Sequence, residues 1–498
     1  MQNQLLFPLP RRAIGLLASL LLLAGCSVAP TYQKPSVATP AAFKEAPATD
    51  AAWKPAEPAD QLPRGDWWSV FHDPQLDRLE RDAVEANPNL VAAAARLGQA
   101  RALEQSAHAA RLPQVGVGFG PTRQRPSPAS QGLAADADTR STTLWRGQAT
   151  VAYEVDLFGR LSGTEDAARL DTERNEALFG ATLLALQADV AQAYFLIREL
   201  DAAQALYVDT VKLRSDTLRL LQRRFDEGDI DELDLARARS ELAAARSESL
   251  GLARQRAVAE HALAILLGKP PAEFSLPAQP LARMAIPVPA GLPSALLERR
   301  PDIAAAERAM AAANARIGVA QAAWFPRLAL TGALGYEAGG LGDLFKYASR
   351  SFVLGPLVGT ALSLPVFDGG ARQAGLDQAR AAYAEDSARY RQTVLQAFRE
   401  VEDNLAGLRL LGEQHGEQDQ AVAAAERAAR LARLQYREGA VSYLNVLDAE
   451  RSVLQQQRTA VSLDGERARA TVNLIRALGG GWTAAAPQAA INGPARGG

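Results

Sequence analysis

The chain has 498 residues, a formal charge of −2 at pH 7 and a single cysteine. One cysteine excludes an intrachain disulfide framework, and the near-neutral charge argues against nucleic-acid binding through a basic face. The four histidines are dispersed without paired ligand spacing, so we expect neither a metal site nor a cofactor. The sequence carries no nucleophile-elbow or phosphate-loop pattern, and we expect no catalysis.

The N-terminus predicts a signal peptide over residues 1–25. Two arginines precede an apolar run, residues 14–23, that is too short to span a bilayer but suits a signal-peptide core. The run ends in Leu23-Ala24-Gly25-Cys26, which resembles the bacterial lipobox and implies a diacylglycerol and an N-acyl chain on Cys26. Ser27, in place of Asp, implies sorting to the outer membrane. An ordinary signal peptide that contains a cysteine is the alternative.

Beyond the signal peptide we expect no transmembrane helix, because no later stretch reaches the apolar length that such a helix needs. A lipid anchor by itself gives only modest membrane affinity. Other parts of the chain are therefore expected to hold it in the membrane.

The chain is a duplication. Five short segments recur at offsets of 209 to 213 positions. The matched pairs are Asn87–Leu90 with Arg300–Ile303, Arg111–Pro113 with Trp324–Pro326, Val155–Gly159 with Leu364–Asp368, Arg224–Gly228 with Gln435–Gly439, and Leu267–Gly268 with Leu478–Gly479. We therefore divide the mature chain into an extended N-terminal segment, two repeats, a linker and a flexible tail. Their predicted bounds are 26–74, then 75–268 and 294–481 for the repeats, 269–293 for the linker and 482–498 for the tail.

Each copy is predicted to begin with a helix and two strands. In the first copy the helix covers 75–111, and strand alternation follows around 115–120 and 150–157, with a polar loop at 123–142 between them. In the second copy the helix covers 294–324. Its strands are expected around 327–336 and 361–366.

The alternation of apolar with small or polar residues fits two structures. It is typical of transmembrane β-barrel strands, and a half-buried hairpin of a soluble sheet shows the same pattern. The lipobox favours the membrane. Four strands cannot close a barrel, so the sheet would be shared among subunits, with eight strands in a dimer or twelve in a trimer.

The rest of each copy is predicted to be two helices. The expected ranges are 163–226 and 232–268 in the first copy, and 371–437 and 443–478 in the second. The first of these would be roughly 90 Å long at about 1.5 Å per residue.

At this point the sequence resembles the TolC-like outer-membrane factors, specifically the NodT-type efflux lipoproteins. The matching features are Cys26-Ser27 with Pro30, Tyr32 and Pro35, then Trp67–Phe71 with Asp73-Pro74, and the paired segments Arg224–Leu235 and Gln435–Leu447. The resemblance implies a mainly α fold with a membrane β-barrel portion: a twelve-stranded barrel in a homotrimer, above a long α-helical periplasmic tunnel. It implies passive export of drugs or other small organic compounds across the outer membrane. The implied partners are a periplasmic adaptor (membrane fusion protein) and a proton-driven inner-membrane RND pump.

The resemblance also assigns roles to the turns at Gly228 and Gly439, where glycine supplies the positive φ of a tight helix turn. In the family these turns contact the adaptor and close the resting pore. Tyr436 and Asp234 match a pair that hydrogen-bonds between helices and latches the mouth. Simple core packing of Tyr436 is the alternative, and Val441 stands where a basic latch residue is sometimes found.

The same resemblance implies a periplasmic gate. Asp448 and Asn445 fall where the family places acidic or polar residues around the constriction, and three copies of Asp448 would attract cations. Asn445 replaces an acid, so apolar contacts from Leu444 and Leu447 are expected to carry more of the closure. A solvated surface carboxylate is the alternative for Asp448.

Three other functions remain open. A secretion channel for polypeptides (type I) would use the same fold with a different partner. A lipid-anchored periplasmic coiled-coil scaffold without a pore would explain the lipobox and the helices but not the four strands. An enzyme is the weakest of the three.

Overall fold

The structure is a computed structural model that describes residues 28–34, 40, 43–45, 66–282, 300–354 and 359–480. The predicted signal peptide, Cys26 and the predicted tail lie outside the described residues. The chain divides into two units, each assembled from three segments of the sequence. One unit comprises 1–35, 98–174 and 306–390, and the other comprises 36–97, 175–305 and 391–498.

The first copy contains four helices and two strands in the described residues. They are α1 (Pro74–Ala86), α2 (Pro88–Ala109), β1 (Gln114–Gln124), β2 (Thr142–Val155), α3 (Arg160–Asp226) and α4 (Glu232–Leu266). The second copy follows as α5 (Pro301–Ala322), β3 (Arg327–Ala338), β4 (Ser351–Leu354), β5 (Gly359–Ser363), α6 (Ala371–Arg437) and α7 (Tyr443–Ala477).

The duplication is preserved in the lengths of the helices. Helices α3 and α6 each contain 67 residues, and α4 and α7 each contain 35. Helices α6 and α7 begin 211 positions after α3 and α4, and α5 begins 213 positions after α2. The duplicated arrangement expected from the sequence is confirmed.

The predicted helix 75–111 is wrong in one respect, because it is broken at Asn87. Pro88 cannot supply a backbone N–H to the turn before it, and α2 starts there as a new helix. The side chain of Asn87 caps the new start, accepting hydrogen bonds of 2.9 Å from the Asn89 amide and 3.1 Å from the Leu90 amide. Its Nδ2 donates to the carbonyl of Leu266 at 2.8 Å, which ties the break to the end of α4.

One unit contains an antiparallel sheet. The strand order is β1-β2-β3, and both β4 and β5 pair with the far side of β3. Strand β1 pairs with β2 over its whole length, from Gln114 opposite Ala152 to Gln124 opposite Thr142. Within the described residues β1 has no second partner, so it forms one edge of the sheet.

The fourth predicted strand differs from the expectation. Two short strands occupy its place, and the four residues 355–358 between them lie outside the described part of the chain. Strand β5 ends at Ser363, so the expected continuation to Val366 is wrong. Pro365 lacks the N–H that a strand ladder needs, which accounts for the early end.

The short stretch that follows Cys26 lies along α5 in the same unit. Tyr32 donates a 2.7 Å hydrogen bond to Glu307, and Asn314 donates a 2.9 Å bond to the carbonyl of Pro30. Gly318 permits this approach, because a Cβ there would lie 2.9 Å from the Cα of Ala29. The chain is therefore fixed on α5 three residues after the predicted lipid site.

The other unit is helical and holds the main core. Aromatic residues from the turn before α1 pack against α3, with the Phe71 and Phe195 rings 4.7 Å apart. Tyr194 hydrogen-bonds to Asp73, whose other oxygen caps α1 by accepting from the Gln75 amide at 2.9 Å. Burial and this carboxylate raise the pKa of the Tyr194 phenol to about 12.

The expectation that no stretch after the signal peptide is apolar enough for a transmembrane helix is wrong for α3. By length and composition alone, α3 contains an 18-residue window apolar enough to cross a membrane. More than half of that window, 56%, is buried within the chain. Burial of this kind accounts for an apolar stretch in the core helix of a packed unit.

Candidate functional site at the two helix turns

The two helix pairs of the helical unit end in matching turns. We call α3 with α4 the first hairpin and α6 with α7 the second hairpin. Gly228 has φ +79° and Gly439 has φ +71°, the left-handed conformation that glycine adopts without a Cβ penalty. In the first turn the amide of Asp229 donates to the Arg224 carbonyl at 2.8 Å, and in the second the amide of Ala440 donates to the Gln435 carbonyl at 2.8 Å. Both turns are Schellman caps.

Helices α4 and α7, which follow the two turns, begin with different N-terminal caps. Asp231 caps α4, accepting from the amides of Leu233 at 3.0 Å and Asp234 at 3.3 Å. At the start of α7, Ser442 makes no side-chain cap and instead donates to Asn445 at 3.0 Å. The Asn445 side chain is therefore held beside the turn.

An apolar cluster lies just behind the turns and joins the two hairpins. Its buried members are Leu221, Ala238, Tyr443, Val446 and Leu447. Since these side chains come from α3, α4 and α7, the hairpins share one small core at this end.

The predicted gate residues fall into two groups. Asp448 and Asn445 are exposed, and the Asp448 carboxylate accepts from Arg451 at 3.2 Å. Leu444 is half-buried, whereas Leu447 is only 1% exposed and packs in the apolar cluster. Leu447 therefore has a packing role within the chain, and the two polar residues remain free to face a pore.

The two predicted latch residues have separate partners within the chain. The hydroxyl of Tyr436 accepts a 2.9 Å hydrogen bond from Arg224 on α3. The Asp234 carboxylate accepts from Arg237, one turn along its own helix, at 3.3 Å. The structure thus brings Tyr436 together with Arg224, a residue of the first turn segment to which the sequence assigned no latch role.

A charge network with a buried centre lies further along the hairpins, and the sequence did not predict it. Arg214 on α3 is 3% exposed and lies 3.6 Å from Glu241 on α4 and 3.5 Å from Glu450 on α7. Glu450 also binds Arg433 on α6 at 2.9 Å, and Glu241 also binds Arg451 on α7. We call these five residues the charge belt.

The sequence did contain a signal for the charge belt. Tyr207, Arg214 and Leu221 are spaced by seven, and the first and last are buried. An arginine at the middle position of such a heptad stripe must be buried with its partners. Its partners could not be found from spacing, because they come from two other helices.

The surroundings of the charge belt are partly open. A cavity of about 220 Å³ lies beside it, lined by Tyr207, Thr210 and Gln455 as well as by Arg214, Glu241 and Arg451. Burial raises the pKa of the nearby Tyr443 phenol, and the positive charge of Arg214 opposes that rise. Among the described residues no group of His, Cys, Asp and Glu is arranged to hold a metal ion.

Comparison with known proteins identifies the class of protein. The family model described as outer membrane efflux protein matches residues 79–269 and 292–480. The chain is 34% identical over 473 residues to the antibiotic efflux pump outer membrane protein ArpC of Pseudomonas putida, covering 94% of this chain and 95% of that protein. It is 33% identical over 466 residues to the cation efflux system protein CusC of Escherichia coli, covering 93% and 97%.

Comparison with a solved structure indicates the same class of protein. The outer-membrane channel OprN superposes with a TM-score of 0.82 at 31% identity, covering 92% of this chain and all of that one. This chain belongs to the outer membrane efflux protein family. It is an outer-membrane channel component of an efflux system, and the predicted resemblance, location and mostly helical fold with a sheet portion are confirmed.

Proposed function

We propose that three copies of this chain form one channel, which receives small organic compounds from an inner-membrane RND pump and a periplasmic adaptor and releases them outside. The observation that carries this proposal is the edge strand β1. Val115, Val117 and Phe119 on one face of β1 are 76%, 87% and 62% exposed. An open strand edge is not tolerated in lipid, so the sheet must be closed by neighbouring copies. Four strand positions in each of three chains give the twelve-stranded barrel that the resemblance implies.

The two turns are the proposed contact with the adaptor and the proposed gate. The residues around Gly228 and Gly439 are exposed on both hairpins, which leaves them free to meet another protein. Asp448 and Asn445 are exposed beside them. Repeated around a three-fold axis, these side chains would form a polar ring that favours cations.

The substrate class follows from the composition as well as from the relatives. ArpC is named for antibiotics and CusC for cations. Soft cations such as Cu(I) are bound by Cys and Met, but this chain has one cysteine and three methionines in 498 residues. We therefore propose uncharged or cationic organic compounds. Export of metal ions or polypeptides would require other partners.

The lipid anchor is part of the proposal. Cys26 would carry the diacylglycerol and the N-acyl chain, and the hydrogen bonds of Tyr32 and Asn314 would hold the following segment on α5. The anchor would then be confined to the unit that contains the sheet. The chain itself would perform no chemical step.

The first test is the single-channel conductance of the detergent-purified protein in a planar bilayer, with the oligomer mass measured in the same preparation. A trimer with small, mostly closed, cation-preferring steps supports the proposal. A monomer that never conducts would leave the lipid-anchored scaffold as the better explanation.

A matched pair of variants tests the membrane face of β1. A lysine on the lipid face of a barrel strand costs about 2–4 kcal/mol at the bilayer midplane. Val117→Lys should therefore reduce assembled trimer in outer-membrane fractions. Gly118→Lys places the same charge on the other face, where a side chain would meet open space, and should be tolerated. Equal loss in both variants would contradict this assignment of the faces.

A further inference from the structure

The sheet has one end beside helices and one end away from them. Strand β1 follows α2 and β3 follows α5, so both strands start next to a helix and run away from it. We call the other end, where β1 leads into the loop 125–141 and β3 into the loop 339–350, the far end of the sheet. In the proposed channel the helices belong to the periplasmic part, and the far end therefore lies at the outer leaflet of the membrane.

The apolar face of the sheet carries aromatic rings at the far end. Phe119 on β1 and Tyr336 on β3 both lie opposite Gly147 of β2, so their side chains share one face. Phe352 is directly opposite Tyr336, and their ring centres are 4.6 Å apart. Aromatic rings in this position are typical of the level at which a membrane barrel leaves the hydrocarbon and enters the lipid headgroups.

Arg350, the last residue of the loop 339–350, is held against these rings. Its guanidinium carbon lies 3.9 Å from the centre of the Tyr336 ring and 5.7 Å from the centre of the Tyr347 ring. Its Nε is buried and has no hydrogen-bond partner within the described residues. Stacking on an aromatic ring orients a guanidinium but leaves its N–H donors without acceptors. The donors of Arg350 are thus oriented and unoccupied.

Other charges at the far end are paired with one another. Arg125 pairs with Asp138 at 3.0 Å, and Lys346 pairs with Asp343 at 3.3 Å. No carboxylate in the described part of the chain pairs with Arg350. A positive charge that is partly removed from water needs a compensating anion, and the chain itself does not supply one here.

We propose that Arg350 binds a phosphate group of a lipid in the outer leaflet. Arginine can form bidentate hydrogen bonds with a phosphate while it stacks on an aromatic ring. Leu334, two residues before Tyr336 on the same face, is 52% exposed and would contact the acyl chains. Phe345 and Tyr347, both 80% exposed in the loop, would be covered by the headgroup. This inference rests on the proposed function, because lipid reaches this face only when the sheet is part of a membrane channel.

The other face of the sheet provides a matched control. Arg146 on β2 lies opposite Glu337, the residue next to Tyr336, and pairs with it at 2.8 Å. Arg146 is therefore at the same level as the Tyr336 ring but points to the opposite face and already has a carboxylate partner. Replacing it should leave the binding of a lipid phosphate unchanged.

The experiment titrates the delipidated full-length trimer in detergent with diphosphorylated lipid A and with its dephosphorylated form, followed by native mass spectrometry. The wild type should bind the phosphorylated lipid at least about tenfold more tightly, and a tenfold ratio corresponds to about 1.4 kcal/mol. Arg350→Gln should lose this preference, whereas Arg146→Gln should keep it. Arg350→Lys should keep only part of it, since an ammonium group cannot form the bidentate contact or stack in the same way.

The comparison of the two lipids on the wild type needs no variant, so the test stays decisive if Arg350→Gln does not assemble. Equal affinities for the two lipids would overturn the inference, and so would an Arg350→Gln trimer that still prefers the phosphorylated lipid. Inorganic phosphate that displaces the lipid as well as lipid A does would also overturn it, because the site would then bind a free anion and not a lipid.

Conductance and oligomer mass, measured on the same preparations, report separately on the proposed function. A conducting trimer that does not distinguish the two lipids would overturn this inference alone. A monomer that never conducts would overturn the proposed function, and with it the membrane face on which Arg350 is placed.

Discussion

Arg224 donates a hydrogen bond of 2.9 Å to the hydroxyl of Tyr436, and its guanidinium carbon lies 5.8 Å from the centre of the same ring. Arg224 lies in the last turn of α3 and Tyr436 in the last turn of α6, so this contact joins the two hairpins immediately beside their turns. Arg224 also lies 3.9 Å from the Asp229 carboxylate in its own turn. The guanidinium is thus held in place from both sides.

Replacing Tyr436 with Phe should loosen the closed state. The ring and its packing against Tyr443, 5.9 Å away, would remain, and only the acceptor of the Arg224 hydrogen bond would be lost. A partly exposed bond of this kind is worth about 1 kcal/mol, which corresponds to about a fivefold rise in open probability. Single-channel recording provides the measurement.

Two comparisons make the Tyr436→Phe result specific. Arg224→Met removes the donor and should reproduce the effect, while Tyr347→Phe changes a phenol that is 80% exposed in the loop after β3 and should have none. A Tyr436→Phe channel that stays as tightly closed as wild type would contradict the latch role of Tyr436 and favour simple packing of the ring.

Replacing Asp448 and Asn445 together with Ala should reduce the preference of the channel for cations. The Asp448 carboxylate is 60% exposed and pairs with Arg451 one turn later, so it keeps contact with water. Three copies around an axis would focus a negative potential on the pore, and their removal should lower the cation-to-anion permeability ratio.

The control for Asp448 is Asp216→Asn. Asp216 is 50% exposed and pairs with Arg219 at the same i,i+3 spacing, but it lies on α3 away from the turns. Reversal potentials in a salt gradient give the permeability ratio of each variant. Unchanged selectivity in the Asp448/Asn445 double variant would place both residues outside the constriction.

The boundaries of the long helices could be predicted well because their ends carry local signals. Helix α6 covers the predicted range 371–437, since the glycine pair before it and Gly439 after it mark both ends. The break at Asn87 was missed although Pro88 is visible, because the helical pattern continues on both sides. The divided fourth strand and the early end at Ser363 depend on pairing with β3, which periodicity cannot show.

The candidate site was predictable only in part. The turns at Gly228 and Gly439 are recognisable from the sequence because a backbone with positive φ favours glycine. Arg224 and the charge belt were not found, because their partners lie on helices far away in the sequence. Glu450, for example, meets Arg214 from 236 positions away, and nothing local in either segment indicates the pair.

Replacing Glu80 with Gln should stabilise the helical unit, increasingly so as the pH rises. Glu80 on α1 is 0% exposed, and neither of its carboxylate oxygens has a hydrogen-bond partner within the described residues. Burial, with a smaller effect from Asp77, raises the pKa of Glu80 from an ordinary 4.5 to about 9. The folded state therefore keeps this proton at neutral pH.

The sign of the pH effect follows from proton binding. Below pH 4.5 both folded and unfolded chains are protonated at Glu80, so the wild type and the variant should be similar. Between pH 4.5 and about 9 the unfolded chain releases the proton and the folded chain does not, so the wild type loses stability as the pH rises. At pH 7 the difference should be roughly 3 kcal/mol in favour of Glu80→Gln.

Denaturant unfolding of the detergent-solubilised protein at pH 4, 7 and 9 measures this effect. Glu85→Gln, an exposed position on the same helix, is the matched control and should show no pH-dependent gain. If the stability of Glu80→Gln runs parallel to that of the wild type across this range, Glu80 is ionised in the folded protein and the pKa assignment is wrong.

Replacing Gly268 with Ala should be far more damaging than replacing Gly439 with Ala. Both glycines have positive φ, +66° and +71°, so alanine incurs a backbone cost of about 1–2 kcal/mol at either position. At Gly439 a Cβ would meet open space, and the backbone cost is the whole effect. At Gly268 the Cβ would contact the carbonyl oxygen of Ala86 and lie 3.0 Å from its carbonyl carbon.

The extra cost at Gly268 comes from displacing α1, because Ala86 is the last residue of that helix and backbone cannot move aside as a side chain does. We expect a total of roughly 3 kcal/mol or more for Gly268→Ala, against about 1–2 kcal/mol for Gly439→Ala. Denaturant midpoints of the two variants provide the comparison, with each trimer checked by mass. Equal midpoints would mean that the end of α1 does not press against Gly268, and that both substitutions act through backbone strain alone.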